Sequence, residues 1–183
     1  LDRFGNAVSC SLTINTLLGS KVLIPGTGII LNNEMDDFSI EPSSPNVYGL
    51  IGMEANSVQP KKRPLSSMTP TIILQDDRPV LIVGASGGPR IITATLQTVL
   101  NVLDFRLPLK KAIVSPRIHH QWIPNELAVE EAILPDTRKS LERRGHVVKE
   151  KSSLGVVQAI SVERARVDAG ADPRKEEKAK AER

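Results

Sequence analysis

Residues 64–90 read PLSSMTPTIILQDDRPVLIVGASGGPR. The stretch reads as a hydroxyl-rich loop, a strand hairpin and a glycine turn opening onto a helix. Ser66 and Ser67 sit side by side ahead of an apolar strand predicted over Thr71–Leu74. A tight polar turn at Asp76-Asp77-Arg78-Pro79 returns the chain through a second apolar strand, Val80–Val83. That strand runs into Gly84-Ala85-Ser86-Gly87-Gly88, with Pro89 suited to the first position of a helix. Backbone N–H groups at a strand–glycine–helix junction lack intrahelical partners and point outward. They favour a phosphate, a carboxylate or the oxyanion of an acyl-transfer intermediate. The stretch is expected to form the floor of a pocket.

Downstream, the helix is predicted to run to about Phe105, with Ile92, Leu96, Val99 and Leu103 as its apolar stripe. A short helix follows over Leu109–Val114. Arg117–Trp122 and Leu127–Ile133 read as strands joined by a Pro-Asn turn. Pro135–Arg144 reads as a helix stopped by Gly145, and His146–Lys149 and Val156–Val162 as the last strands. From Val167 the chain is expected to leave the core. The body is therefore drawn as 1–172 and a charged, mobile tail as 173–183.

Upstream, Ala7–Asn15 alternates apolar and small polar residues, the pattern of a half-buried strand. Thr13 and Asn15 share one of its faces. Cys10 within it is expected to be a buried thiol. A glycine-punctuated loop, Leu17–Gly28, leads to a short apolar strand, Ile29–Leu31. That strand ends in Asn32-Asn33-Glu34-Met35-Asp36-Asp37-Phe38, a dense group of carboxylates and amides. Glu41–Arg63 is a long loop carrying Tyr48, of a length that inside a compact domain is usually functional or disordered. Antiparallel hairpins with helices gathered after the central strands indicate an α+β architecture, not a doubly wound one. With no initiating Met, an upstream stretch is expected. The hairpin that Leu1 enters lacks its partner strand, so a companion polypeptide or missing segment is expected to cover that edge.

At 183 residues the chain can bury one proper core. No apolar run is long enough to cross a bilayer. The isoelectric point of about 9.1 invites a nucleic-acid reading, but the charge distribution argues against one. Of the net charge of +3, Arg174–Arg183 supplies +2, and aromatic residues make up only 3% of the chain. There is neither a basic groove nor a set of stacking rings. One cysteine excludes an intrachain disulfide and a cysteine-based zinc site.

Gly84–Gly88 also fits G-x-S-x-G, which would make Ser86 a nucleophile. His119, His120 or His146 would then be its base, and Asp104 or Asp136 the orienting acid. Against this, the upstream sequence lacks the strand–helix–strand units such an elbow needs. Asn32–Asp37 could hold a cation, yet its spacing is not that of a calcium loop. A set of carboxylates gripping an ammonium group fits the same residues. His119 and His120 point to opposite strand faces, which disfavours a shared metal, and Trp122 is expected in the core.

Thr13-Ile14-Asn15, Gly28–Ser39 (GIILNNEMDDFS), Pro45–Gly49 (PNVYG) and Pro64–Met68 (PLSSM) form an ordered set. Gly87-Gly88 with its helix, Pro116–Gln121 and Asp172-Pro173-Arg174 complete it. Together they resemble the small subunit of gamma-glutamyltransferases, members of the N-terminal-nucleophile hydrolase superfamily. The resemblance implies a four-layer αββα sandwich built from two subunits cut from one precursor. It implies transfer or hydrolysis of the γ-glutamyl group of glutathione and related amides, with no metal or organic cofactor. Glu34, Asp37 and Asn15 would hold the substrate's α-amino group. Ser66 and Ser67 would bind its α-carboxylate, together with an arginine of the large subunit. Gly87 and Gly88 N–H groups would stabilise the oxyanion, and Thr13 would hydrogen-bond the nucleophile's hydroxyl. Tyr48 falls where some bacterial members carry a lid over the pocket.

The family's nucleophile is a threonine at an N-terminus created by self-cleavage. The resemblance places it a few residues before Leu1, so this chain alone is expected to be inactive. The implied partners are the large subunit, γ-glutamyl compounds, and acceptor amino acids, peptides or water. The implied location is extracytoplasmic. A non-catalytic binding relic of the family and a serine hydrolase using Ser86 stand as the alternatives.

Overall fold

The structure of the protein, a computed structural model, describes residues 1–164, 166–176 and 179. Residues 177, 178 and 180–183 of the expected tail lie outside the described residues. The chain divides into two compact units, Leu1–Ser11 with Met68–Arg183, and Leu12–Ser67.

The first unit is built on the predicted hairpin. Strands β1 (Thr71–Gln75) and β2 (Arg78–Ser86) pair antiparallel around Asp76 and Asp77. Both aspartates have positive φ (51° and 60°), the backbone of the two-residue hairpin turns that match strand twist. Strand β2 ends at Ser86, and Gly87 and Gly88 turn the chain into helix α1 (Arg90–Leu103), with Pro89 in helical geometry just before it. Helix α2 (Leu109–Val114), strands β3 (Ile118–His119) and β4 (Leu127–Glu130), helix α3 (Pro135–Arg143) and strand β5 (Val148–Lys151) follow. Strands β6 (Val156–Glu163) and β7 (Arg166–Ala171) close the unit.

β1, β2, β6 and β7 form one antiparallel sheet in that order; β3, β4 and β5 form a second, smaller one. Period-two alternation puts Leu81, Val83 and Ala85 of β2 on one face of the larger sheet, beside Val157 and Ala159 of β6. Ile91 and Ala94 of α1 and Leu109 and Ile113 of α2 pack onto that face. The mixed architecture is α+β.

Four expectations are corrected here. The buried face of α1 carries Ile91, Ala94, Thr95 and Thr98, whereas Ile92 and Leu96 are exposed. Small side chains face the sheet because the helix approaches it closely; a methyl added to Gly155 would come within 3.1 Å of the Ala94 Cβ. The chain does not leave the core at Val167. β7 pairs with β6 along its length, and Gly170 lies so close to α2 that a Cβ there would meet Ile113 Cδ1 at 2.5 Å. Arg174, assigned to the tail, is held by Glu130 and Asp172. Trp122 is 64% exposed, in a left-handed backbone conformation outside the short strand β3.

The fourth concerns residues 7–15, which form no strand, and Cys10, which is exposed. The alternation is real but runs the other way. Ser9 and Ser11 turn inward to the bare Gly84, where a Cβ would lie 3.7 and 3.9 Å from their hydroxyls, and Ser9 Oγ donates to the Val83 carbonyl at 3.0 Å. Val8 (74% exposed) and Leu12 (96%) face outward. Among the described residues no strand pairs with the backbone of this segment. A strand needs such a neighbour, whatever its side-chain pattern.

The second unit, Leu12–Ser67, is loop-built. Two short 3-10 helices, Glu34–Asp37 and Glu54–Asn56, and isolated pairings such as Leu23 with Ile30 and Pro45 with Ile51 organise it. Among the described residues Ile29–Leu31 makes only that local hairpin pairing with residues 20–24, not a strand of a larger sheet.

Candidate active site

In the second unit, asparagines set the positions of the acidic residues. Asn32 Oδ1 accepts the Glu34 N–H at 3.0 Å, an Asx turn that leads into the helical turn carrying Glu34, Asp36 and Asp37. Asn33 holds the segment around Asn15: its carbonyl accepts from Asn15 Nδ2 (3.0 Å), and its Oδ1 from the Thr16 N–H and hydroxyl. Thr13 Oγ1 accepts the Asn15 N–H at 2.7 Å. Asn46 Oδ1 accepts from the N–H groups of Tyr48 and Leu50, and Asp36 Oδ2 from Val47 N–H, tying the PNVYG turn to the acidic one. The Tyr48 hydroxyl donates to the Asn15 carbonyl at 2.8 Å. Asn15, Glu34, Asp37 and Tyr48 are thereby one connected set.

Asn56 joins this set to the serines. Its Nδ2 donates to the Asp37 carbonyl (2.8 Å), and its Oδ1 accepts the N–H of Leu65, the residue before Ser66 (3.0 Å). One side chain thus fixes the acidic turn against the PLSS loop. Beside it, Gly52 packs tightly on Ser39: a Cβ there would sit 1.9 Å from the Ser39 hydroxyl and 3.1 Å from its Cβ.

Among the described residues, Glu34, Asp36 and Asp37 form no ion pair. Partial burial, and then the neighbouring charges of Glu34 and Asp36, push the Asp37 carboxyl above its ordinary range. Burial and the same carboxylates push the Tyr48 phenol up, so it stays protonated as a donor. Glu34 Oε1 is enclosed without a hydrogen-bond partner among the described residues. Half-buried acceptors that repel one another favour a hydrogen-bonding cation between them. No group of three His, Cys, Asp or Glu suited to a metal ion occurs among the described residues.

Gly87 and Gly88 belong to the first unit, at the end of its central strand. Gly87 has φ 138° and Gly88 φ 60°, and the Gly88 carbonyl accepts the Ile91 N–H at 3.1 Å. Behind the turn lies a buried four-charge cluster. The Arg117 side chain, 2% exposed, donates to Asp172 Oδ2 (2.8 Å) and to the carbonyls of Gly155 (2.8 Å) and Ile113 (2.6 Å). Arg174 donates to both carboxylates of the cluster, Asp172 and Glu130. Glu130 also accepts the N–H groups of Arg117 and Leu154, and Asp172 that of Val157.

The serine-elbow alternative is not supported by this geometry. His119 Nδ1 bonds the Thr93 hydroxyl at 2.8 Å and its Nε2 faces Gln121 Oε1; His120 faces Asn125 and the Trp122 N–H. Ser86 bonds to no imidazole among the described residues. Burial, and further the Arg90 charge, lowers the affinity of His119 for a proton. His119 anchors the first turn of α1.

The gamma-glutamyltranspeptidase family model matches residues 1–182. The chain belongs to the gamma-glutamyltranspeptidase family. Among curated relatives, glutathione hydrolase proenzyme of Escherichia coli strain K12 is 50% identical over 162 residues, 88% of this chain and 28% of that protein. The proenzyme of Pseudomonas aeruginosa is 40% identical over 178 residues, 95% of this chain and 32% of that protein. The chain therefore spans about a quarter to a third of these relatives. Among solved structures, a mutant gamma-glutamyltranspeptidase of Helicobacter pylori is 46% identical with a TM-score of 0.92, covering 96% of this chain and 97% of that one. The Pseudomonas nitroreducens enzyme complexed with L-DON is 37% identical with a TM-score of 0.95, covering 100% and 97%. The fold is that of the N-terminal-nucleophile hydrolases.

Within this chain, sequence reasoning missed Asn33, Asn46 and Asn56. It also missed the cluster of Arg117, Glu130, Asp172 and Arg174. Asparagine density in turns was a usable signal for the first group, since its side chain mimics a backbone turn. The cluster unites residues from three separate segments, and no local pattern encodes it.

Proposed function

We propose that this chain is the light-subunit portion of a glutathione hydrolase and γ-glutamyl transferase. The observation that carries the reading is the Asn56-braced junction of an unpaired acidic turn with Leu65-Ser66-Ser67. This offers carboxylates for an α-ammonium and hydroxyls for an α-carboxylate, the two charged ends of an amino-acid head group. Family membership supports the rest. Glu34, Asp37 and Asn15 hold the ammonium, and Ser66 and Ser67 bind the carboxylate with an arginine of a large subunit. Tyr48 braces Asn15 from behind.

A threonine hydroxyl, supplied from outside this chain, attacks the γ-amide carbon. Thr13 orients that hydroxyl, and the Gly87 and Gly88 N–H groups receive the negative charge on the carbonyl oxygen. The nucleophile's proton passes to the leaving amine as the C–N bond breaks, leaving a γ-glutamyl ester on the threonine. Water or an acceptor amino acid or peptide then attacks the ester, releasing glutamate or a new γ-glutamyl amide and restoring the hydroxyl. The naming of the relatives as proenzymes supports a partner subunit cut from the same precursor.

The test is glutathione turnover by the complete gene product. The expected result is release of glutamate through a γ-glutamyl-enzyme trapped on a threonine, with KM raised at least tenfold in the Ser66→Ala/Ser67→Ala double variant, in line with the loss of charge-assisted hydrogen bonds worth about 1.5–3 kcal/mol each. No glutamate release, or release that survives replacement of that threonine, would overturn the reading. An extracytoplasmic location is part of the proposal on family grounds, and cell fractionation tests it: activity confined to the cytosolic fraction counts against it.

A further inference from the structure

The diglycine turn is held from behind by another glycine. Gly155, in the loop leading into β6, has φ +88°, and the Gly155 and Gly87 backbones touch: a Cβ on Gly87 would fall 2.9 Å from the Gly155 Cα. A Cβ on Gly155 would in turn meet the Ala94 Cβ at 3.1 Å, the Ser86 carbonyl oxygen at 3.4 Å and the Arg90 carbonyl oxygen at 3.6 Å. The Ser86 carbonyl and the Gly87 N–H belong to one planar peptide unit, so turning the first turns the second. Gly155 is fixed in its turn by Arg117, whose buried Nη1 donates to its carbonyl at 2.8 Å. The next residues are pinned by the same cluster, since Leu154 N–H donates to Glu130 and Val157 N–H to Asp172. β6 then pairs with β2 through Val156 and Ser86.

We infer that Gly155, gripped by Arg117, is a positioning residue that sets the direction of the Gly87 N–H. This rests on the reading of Gly87 and Gly88 as the oxyanion donors. Neither Gly155 nor Arg117 needs to touch substrate. Their effect reaches the reaction through the Ser86–Gly87 peptide, where a displacement well under the size of an atom is costly to the transition state and not to ground-state binding.

The experiment uses the complete gene product with a chromogenic γ-glutamyl anilide, comparing wild type with Gly155→Ala and with Arg117→Lys. Three quantities are read: kcat, KM, and inhibition by glutamate and by a glutamate analogue carrying boronate in place of the γ-carboxyl group. Boronate becomes tetrahedral on the nucleophile and needs the oxyanion donors, whereas glutamate needs chiefly the head-group contacts. The expected result for Gly155→Ala is a kcat lower by on the order of 10–10²-fold, as for a misplaced reacting group. Boronate affinity falls by a similar factor, while KM and glutamate affinity stay within about threefold of wild type in the same comparison. Adding Ala94→Gly, which removes the 3.1 Å contact, recovers part of the loss.

Wild-type kcat and boronate affinity in Gly155→Ala overturn the inference and leave the functional reading standing. So does an equal fall in all affinities with a lowered melting temperature, the mark of a merely structural role. If Gly155→Ala gives no soluble protein, Arg117→Lys decides alone: a selective loss of kcat and boronate affinity supports the inference and wild-type values overturn it. A wild-type product that does not hydrolyse the anilide removes the functional reading, and the inference with it.

Discussion

Replacing Asp172 by alanine should be among the most destabilising single changes available to this fold. Its carboxylate is fully buried and accepts four hydrogen bonds. These come from Arg117 Nη2 (2.8 Å), Val157 N–H (3.0 Å), Arg174 N–H (3.1 Å) and Arg174 Nη1 (3.0 Å). Truncation leaves the buried Arg117 charge short of its counter-ion and the Val157 N–H without an acceptor. Removing one partner of a buried ion pair costs about 3–5 kcal/mol. One lost charge-assisted bond and one orphaned N–H, at roughly 1–3 kcal/mol each, sum to a range that brackets this figure. For a chain of this size the loss corresponds to a fall in Tm of about 6–20 °C. Burial pushes the Asp172 carboxyl up, but the bonds from Val157, Arg117 and Arg174 outweigh it and hold the group below its ordinary range. A depressed carboxyl stabilises above its unfolded value and loses that contribution as pH falls through the folded one. The deficit of Asp172→Ala should therefore be full at pH 7 and shrink only in strong acid. Denaturant unfolding followed by circular dichroism measures it, with Arg117→Met/Asp172→Leu expected to cost less than Asp172→Ala alone. A loss under about 1 kcal/mol, the range of an exposed pair, would refute the reasoning.

Two further outcomes concern the head-group site. The free protein holds the Asp37 proton to higher pH than an ordinary carboxyl, whereas a bound ammonium favours the carboxylate. KM for a γ-glutamyl amide should therefore fall as pH rises through the Asp37 titration, with proton release on binding, and Asp37→Asn should flatten that profile; an unchanged profile counts against the assignment. Asn56→Ala breaks the tie between Asp37 and Leu65 and should lower kcat/KM about tenfold, the equivalent of one net hydrogen bond of ~1.4 kcal/mol. Steady-state kinetics at fixed pH checks it, and an effect below twofold would show that the two loops hold position without the asparagine.

Much of this molecule was legible because local rules and tertiary demand agreed. The Asp76-Asp77 hairpin, the glycine turn and α2 fall where turn chemistry and apolar spacing put them. The acidic turn and the paired serines were visible as composition, and the resemblance gave them roles. What stayed hidden depended on a neighbour. β7 (RVDAGA) is chosen for smallness against α2, not for strand propensity, so Gly170 disguised it. Residues 7–15 alternate like a strand, but with serines inward and Val8 and Leu12 outward, and pattern alone does not say which side is the core. On α1 the larger apolar residues Ile92 and Leu96 drew the eye, while the true contact face is alanine and threonine because Gly155 and the turn bring the sheet close. The charge cluster and the bracing role of Asn56 exist only once distant segments meet.

The most direct test compares two anilides on the complete gene product, γ-glutamyl and glutaryl, which differ only in the α-amino group. If Glu34 and Asp37 receive that group, the γ-glutamyl compound should be preferred by on the order of 10² in kcat/KM, the worth of about 2.7 kcal/mol of charge-assisted hydrogen bonding. Glu34→Gln should erase most of that preference. Equal rates on both anilides, or a preference that Glu34→Gln leaves intact, would contradict it.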